Sequence, residues 1–248
     1  MKSSAENVPP GAVFVTTRWT IVLSAGHKSS PQSDHALGEL WQTYWYPLYA
    51  YARRKGHPKE DAEDLTQAFF ARFLAKNYLE GLSAERGKFR AFLLAAFKHF
   101  LANEWDKAQR QKRGGAVQHL SLDWKNADEK YQLEPPDPRS PDRLYDREWA
   151  LALLERVILR LENENAPDKA QLFQRAKGFL MVGEEAIPYA QAATELALEE
   201  GALRVAVHRL RKRYRALLRD EIAQTLADPQ QVREELQSLQ AALAPPSS

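Results

Sequence analysis

The chain has 248 residues, of which 44% are hydrophobic and 27% charged, a globular composition that excludes a wholly disordered polymer and allows one large or two small domains. It contains no cysteine, which excludes disulfide scaffolds, thiolate metal sites and cysteine nucleophiles, and its six histidines include no pair at helical metal-ligand spacing. The formal net charge is only +2, so overall charge selects no class of partner, and no apolar run approaches the roughly 20 residues that a membrane span needs.

Residues 1–32 read as an N-terminal extension. Its start from Met1 to Gly11 is polar and lacks the apolar core of a secretory signal, which points to a cytoplasmic chain. Val13 to Val15 is briefly strand-like, or an extended arm before a short helix around Trp19 to Leu23. The first module spans 33–115. There Ala36, Leu37, Leu40, Trp41, Tyr44, Trp45, Leu48 and Tyr51 recur at three and four residues, the pattern of an amphipathic helix bent or restarted at Pro47 and ended near Gly56. Pro58 opens a second helix, with Ala62, Leu65, Phe69, Phe70, Phe73 and Leu74 along one stripe and its acids in the first turns, facing the positive end of the helix dipole. A third helix, Lys88 to Gln111, carries Phe89, Phe92, Leu93, Ala96, Phe97, Phe100 and Leu101 and stops at Gly114 and Gly115.

Residues 116–141 read as a flexible linker, because Pro135, Pro136, Pro138 and Pro141 crowd a polar stretch without apolar periodicity. A second module follows over 142–226. Ser140 and Pro141 supply the cap and first position of a helix buried through Leu144, Trp149, Leu153, Leu154, Val157, Ile158 and Leu161. Pro167 starts another helix, through Leu172, Phe173, Ala176, Phe179 and Leu180 to Gly183. Pro188 starts a short one through Tyr189, Ala192, Ala193 and Leu196, and after a break at Glu199, Glu200 and Gly201 comes a long basic helix. Residues 227–248 add a helical extension and tail, in which Val232, Leu236, Leu239 and Leu243 fall in helical register and are expected to pack on the second module. The fold class is all-α: two small helical domains on a Pro-rich tether.

Charge is segregated along this chain. Arg204 to Arg219 holds seven bases and no acid, whereas Glu184 to Glu200 holds five glutamates and no base. The short helix, tight break and basic helix follow helix-turn-helix grammar. Leu203, Val207, Leu210, Tyr214 and Leu217 form the buried stripe of the second helix, which turns Arg204, His208, Arg211, Lys212 and Arg215 towards other faces, where arginine can read guanine and lysine can hold phosphate. A second basic stretch, Arg86 to Arg113, mixes bases with Phe89, Phe92, Phe97, Phe100 and Trp105. Such mixtures suit single strands, but the phenylalanines share one stripe and are assigned to the core. The acids Asp61, Glu63 and Asp64 lie within one helical turn and read as a docking surface.

Two segments together carry a family resemblance. DAEDLTQAFFARFL (Asp61 to Leu74) followed by GKFRAFLLAAFKHFLANEW (Gly87 to Trp105) resembles region 2 of bacterial RNA polymerase sigma factors of the extracytoplasmic-function (ECF) group. PYAQAATELALEEGALRVAVHRLRKRYRALL (Pro188 to Leu218) resembles their region 4 helix-turn-helix, in the right order. The resemblance implies a promoter-recognition subunit of core RNA polymerase. Asp61, Glu63, Asp64 and Gln67 would dock on the β′ clamp helices, and the β flap is the other part of core polymerase implied as a partner. Asn77, Arg86, Lys88, Arg90, Lys98, His99 and Asn103 would face the minus-ten element as double- and then single-stranded DNA. Arg204, His208, Arg209, Arg211 and Lys212 would meet the minus-thirty-five element. An anti-sigma protein or another regulator is a further implied partner, while no membrane, cofactor, metal or catalytic residue is implied. Members of the group often carry Asn where His99 stands and Asp where Asn103 stands, and the stretch from Asn163 to Ala186 is longer than their common spacing.

Two other readings of the same residues exist. A stand-alone helix-turn-helix regulator would bind DNA without any dependence on the acidic turn. A small metal-dependent hydrolase would use Asp61, Glu63 and Asp64 as oxygen ligands.

Overall fold

A computed structural model describes residues 31–74, 88–110, 124–133, 139–164, 170–180, 188–226 and 228–245. The expected arm and short helix before residue 31 lie outside them. The described residues are all-α, with one isolated backbone bridge and no strand.

Helix α1 (Pro31–Arg54) runs through Pro47 without a restart. A mid-helix proline removes one backbone hydrogen bond, at a cost of about 3 kcal/mol. Tyr44, Leu48, Tyr49 and Tyr51, all buried around it, offset that cost by packing. Gly56 closes the helix: its φ of 93° is open to glycine, its N–H donates to the Arg53 carbonyl (3.0 Å), and the His57 N–H donates to Ala52 (3.2 Å). Helix α2 (Lys59–Leu74) and helix α3 (Phe89–Arg110) then bury an aromatic seam against α1. Phe69 meets the Phe97 and Phe100 rings at 5.0 and 5.6 Å between centroids, and Tyr51 meets Phe97 edge-on at 6.2 Å.

The stretch read as linker contains a helix, α4 (Trp124–Leu133). Ala127 is buried, and Tyr131 packs edge-on against Tyr49 beneath the Arg53 guanidinium, 4.6 Å from its ring centroid. Among the described side chains of α4, Ala127 and Tyr131, one turn apart, are too sparse to register as apolar periodicity. Helix α5 (Pro141–Asn163) starts as expected, with the Ser140 hydroxyl accepting from the Arg143 N–H and Pro141 in the first turn. Tyr145, Trp149, Ala150 and Leu153 join the aromatic core of α1 to α3, while Val157 and Leu161 pack on Phe173 and Leu217 further along. One helix thus serves both halves, because its apolar stripe runs through more turns than the small second core covers.

Helix α6 (Ala170–Ala176) continues as a 3-10 turn (Lys177–Phe179). Helix α7 (Tyr189–Glu195) and helix α8 (Glu200–Ala223) form the expected pair, closed around Ala176, Phe179, Ala192, Ala193, Leu203 and Val207. The break differs from the sequence reading. It lies at Leu196 to Glu199, its left-handed residue is Ala197 (φ 51°), and Gly201 sits in the first turn of α8. Helix α9 (Val232–Leu243), after a 3-10 turn at Pro229–Gln231, packs on α5 and α8, with Leu239 buried in the aromatic core. The Phe89 N–H donates to the Thr225 carbonyl (3.1 Å), tying the start of α3 to the end of α8.

Candidate nucleic-acid interface

Because α8 buries Leu203, Val207 and Leu217, its 3.6-residue period gathers Arg204, His208, Arg211, Lys212, Arg215 and Arg219 within about 100° of arc, along about 22 Å of helix. All six are exposed. Arg204 is braced at the leading end, with its Nε 2.8 Å from the Glu200 carboxylate and its guanidinium 4.5 Å from the Tyr189 ring centroid. Arg211 donates from Nε (3.1 Å) and Nη2 (2.8 Å) to the Phe179 carbonyl, so it holds the 3-10 turn against α8. Arg209 and Arg213 turn aside to line a cavity of about 420 Å³ with Glu164, Leu161 and Phe173, and Arg213 grips Glu164 at 2.6 and 2.7 Å. That grip holds the Glu164 carboxyl below its ordinary value. Val205, half-exposed on α8 one turn before Arg209, adds an apolar surface to the same helix.

The cations expected at the minus-ten element have a different setting. Asn77 and Arg86 lie outside the described residues. His99 and Asn103 are exposed on α3. Lys98 donates to Asp142 of α5 at 2.6 Å. Arg90 is only 12% exposed, pairs with Asp146 of α5 and Glu235 of α9 (Nε to Oε1, 2.6 Å), and lies 4.7 Å from the Trp149 ring centroid. Lys88 reaches Glu235 at 2.7 Å.

Glu235 is 1% exposed. Burial opposes its charge, but the hydrogen bonds from Arg90 and Lys88 outweigh burial and hold its carboxyl below the usual range. At Asp146 burial wins over Arg90, and the carboxyl is pushed up. Sequence reasoning missed Glu235. Its signal was present, since Glu235 falls beside Leu236 and Leu239 on the apolar face of α9, where an acid needs a buried partner.

The acidic turn is partly a surface. Asp61 and Asp64 are exposed and Glu63 is half-buried, whereas Gln67, expected beside them, is buried at 4% exposure. The physical reason is register: Gln67 falls one helical turn before the buried Phe70, on a side of α2 that is turned inward. Among the described residues no group of three His, Cys, Asp or Glu side chains could hold a metal ion. Among them also, no helix is long and apolar enough to cross a membrane.

A family model described as ECF sigma factor matches residues 28–186, more than half of the chain. The match takes in α1 to α6 and stops just before the α7–α8 pair. Comparisons with curated proteins and with solved structures return no match.

Proposed function

Since the chain belongs to the ECF sigma factor family, with a sigma factor's role in transcription initiation, we propose that it binds core RNA polymerase and directs it to specific promoters. The observation that carries this reading is the family match over residues 28–186, joined to a basic stripe on the second helix of a helix-turn-helix. Asp61 and Asp64, with Glu63 at their edge, offer carboxylates to a basic surface of the polymerase, the β′ clamp helices in the family. Gln67 supports that turn from below. Arg204, His208 and Lys212 meet the bases and phosphates of the minus-thirty-five duplex, with Arg209 at the edge of the stripe and Arg211 holding the helix in place. The α3 face, with His99, Asn103, Lys98, Arg90 and Lys88, serves the minus-ten element together with the segment that holds Asn77 and Arg86. The β flap and a regulatory protein are further partners of the second half. No covalent step belongs to these residues: they hold two DNA elements and stabilise melted strand, and phosphoryl transfer is the polymerase's own chemistry.

The test is co-migration with core enzyme at physiological salt. The unaltered chain is expected to co-migrate, and Asp61→Lys with Asp64→Lys to abolish it. Undiminished binding by the charge-reversed chain would make the docking assignment wrong. DNA binding without any affinity for core enzyme would instead favour a stand-alone regulator.

A further inference from the structure

Lys88 and Arg90 open α3, yet both are committed to a carboxylate that comes from the far end of the chain. Glu235 accepts from Lys88 Nζ and Arg90 Nε, and Arg139 anchors the other end of α9 by donating to the carbonyls of Ala242 (3.5 Å) and Ala244 (3.1 Å). A further cation of α3 is paired within the chain as well, Lys98 with Asp142 of α5 at 2.6 Å.

We propose that Lys88 and Arg90 form one anion site with two alternative occupants, the Glu235 carboxylate of α9 and the phosphates of a DNA strand. The proposal rests on the reading of α3 as a DNA-facing helix. Three features support the exchange. A phosphate diester carries the same charge as Glu235 and likewise accepts charge-assisted hydrogen bonds. A buried ion pair gains little net stability over its desolvation, so a second anion of equal charge can replace the first. Finally, α9 is a 12-residue helix fixed by Leu239 and the partly buried Val232, Leu236 and Leu243, a length marginal on its own in water, so it can leave the seam as a unit. In the docked state the second half shields the minus-ten cations. DNA must displace α9 to reach them.

The experiment measures binding of the full chain to a fluorescein-labelled single-stranded oligonucleotide of random sequence, as a function of salt. Glu235→Gln should bind several-fold tighter than the unaltered chain, and its log-affinity against log-salt slope should steepen by about 1.4, the increment for two more phosphates neutralised on a single strand. Glu234→Gln removes the same charge from an exposed position on the same turn and should leave both unchanged. Arg139→Ala removes a positive charge, which by charge alone weakens binding; release of α9 predicts that it binds tighter. This variant also covers the case in which Glu235→Gln fails to fold. Equal affinity and slope in the unaltered chain and the folded variants would overturn the proposal alone. Absence of DNA binding in every form would overturn it together with the reading of α3 on which it rests.

Discussion

Arg90 binds more partners than a DNA contact requires: two carboxylates from two different helices, the face of Trp149, and through its backbone carbonyl the Tyr145 hydroxyl at 3.2 Å. Such a residue joins elements, and the acid opposite it sets a pH dependence. The folded Glu235 carboxyl titrates below its ordinary value of 4.5, so its contribution to stability is complete above that value and is lost as the pH falls through the lowered folded value. Asp146, whose folded carboxyl is raised, runs the other way, and the Arg90 guanidinium, held up by its bonds to Glu235 and Asp146, stays charged throughout. Urea midpoints of the unaltered chain and Glu235→Gln should therefore converge as the pH falls below 4 or so. A constant gap from neutral to acid pH would contradict the assignment. Close by, Trp149 Nε1–H donates to the Tyr44 hydroxyl at 3.0 Å with both groups fully buried. Tyr44→Phe leaves that donor unsatisfied and should cost about 1–3 kcal/mol in urea unfolding.

At the scale of elements, the turn after α1 and the helix-turn-helix break can be tested through three small residues. Gly56 holds a positive φ, and Gly56→Ala should destabilise by about 1 kcal/mol. Ala197 holds a left-handed conformation without glycine's freedom, so Ala197→Gly should stabilise by about 0.5–1 kcal/mol. Gly201 has open space around its missing side chain inside α8, so Gly201→Ala should stabilise by a similar amount. Thermal unfolding separates the two placements of the turn, because a turn centred on Gly201 would make that substitution destabilising. Here the sequence was legible in part. Pro58, Ser140–Pro141 and the phenylalanine stripe marked α2, α5 and α3 because caps and periodic burial are local properties. The turn was displaced because glycine is the usual left-handed residue and Ala197 gives no such sign. Helix α4 went unread because the contacts described for it are tertiary: Tyr131 packs on Tyr49 and Lys130 lies over the Tyr46 ring, both about 80 positions earlier in sequence.

At the scale of the molecule, residues from both expected modules share one apolar cluster. Tyr145, Trp149, Leu153, Ile222, Leu226 and Leu239 pack with Tyr44, Tyr51, Phe69 and Phe97 in one cluster. That contact was not legible, because an apolar stripe says that a helix is buried and not which partner buries it. Of the candidate site, the α8 stripe followed from periodicity, while the pairing of Lys88 and Arg90 with Glu235 depends on tertiary contact over some 145 residues of chain. A shared core predicts that the halves unfold together. Trp149→Ala should lower stability by about 3–5 kcal/mol and weaken hydrogen-exchange protection in α1 as well as α5. Loss confined to α5 would show instead that the two modules unfold independently.

The central claim, promoter-directed initiation with core polymerase, is tested most directly by transcription in vitro. Purified chain, bacterial core enzyme and a library of promoter fragments are mixed, and the transcripts are sequenced. The account predicts transcripts starting at a defined set of promoters sharing two spaced elements, lost with Asp61→Lys and Asp64→Lys and altered in promoter choice by Arg204→Ala or His208→Ala. Transcripts no different from those of core enzyme alone, in the presence of a chain that still binds DNA, would contradict it.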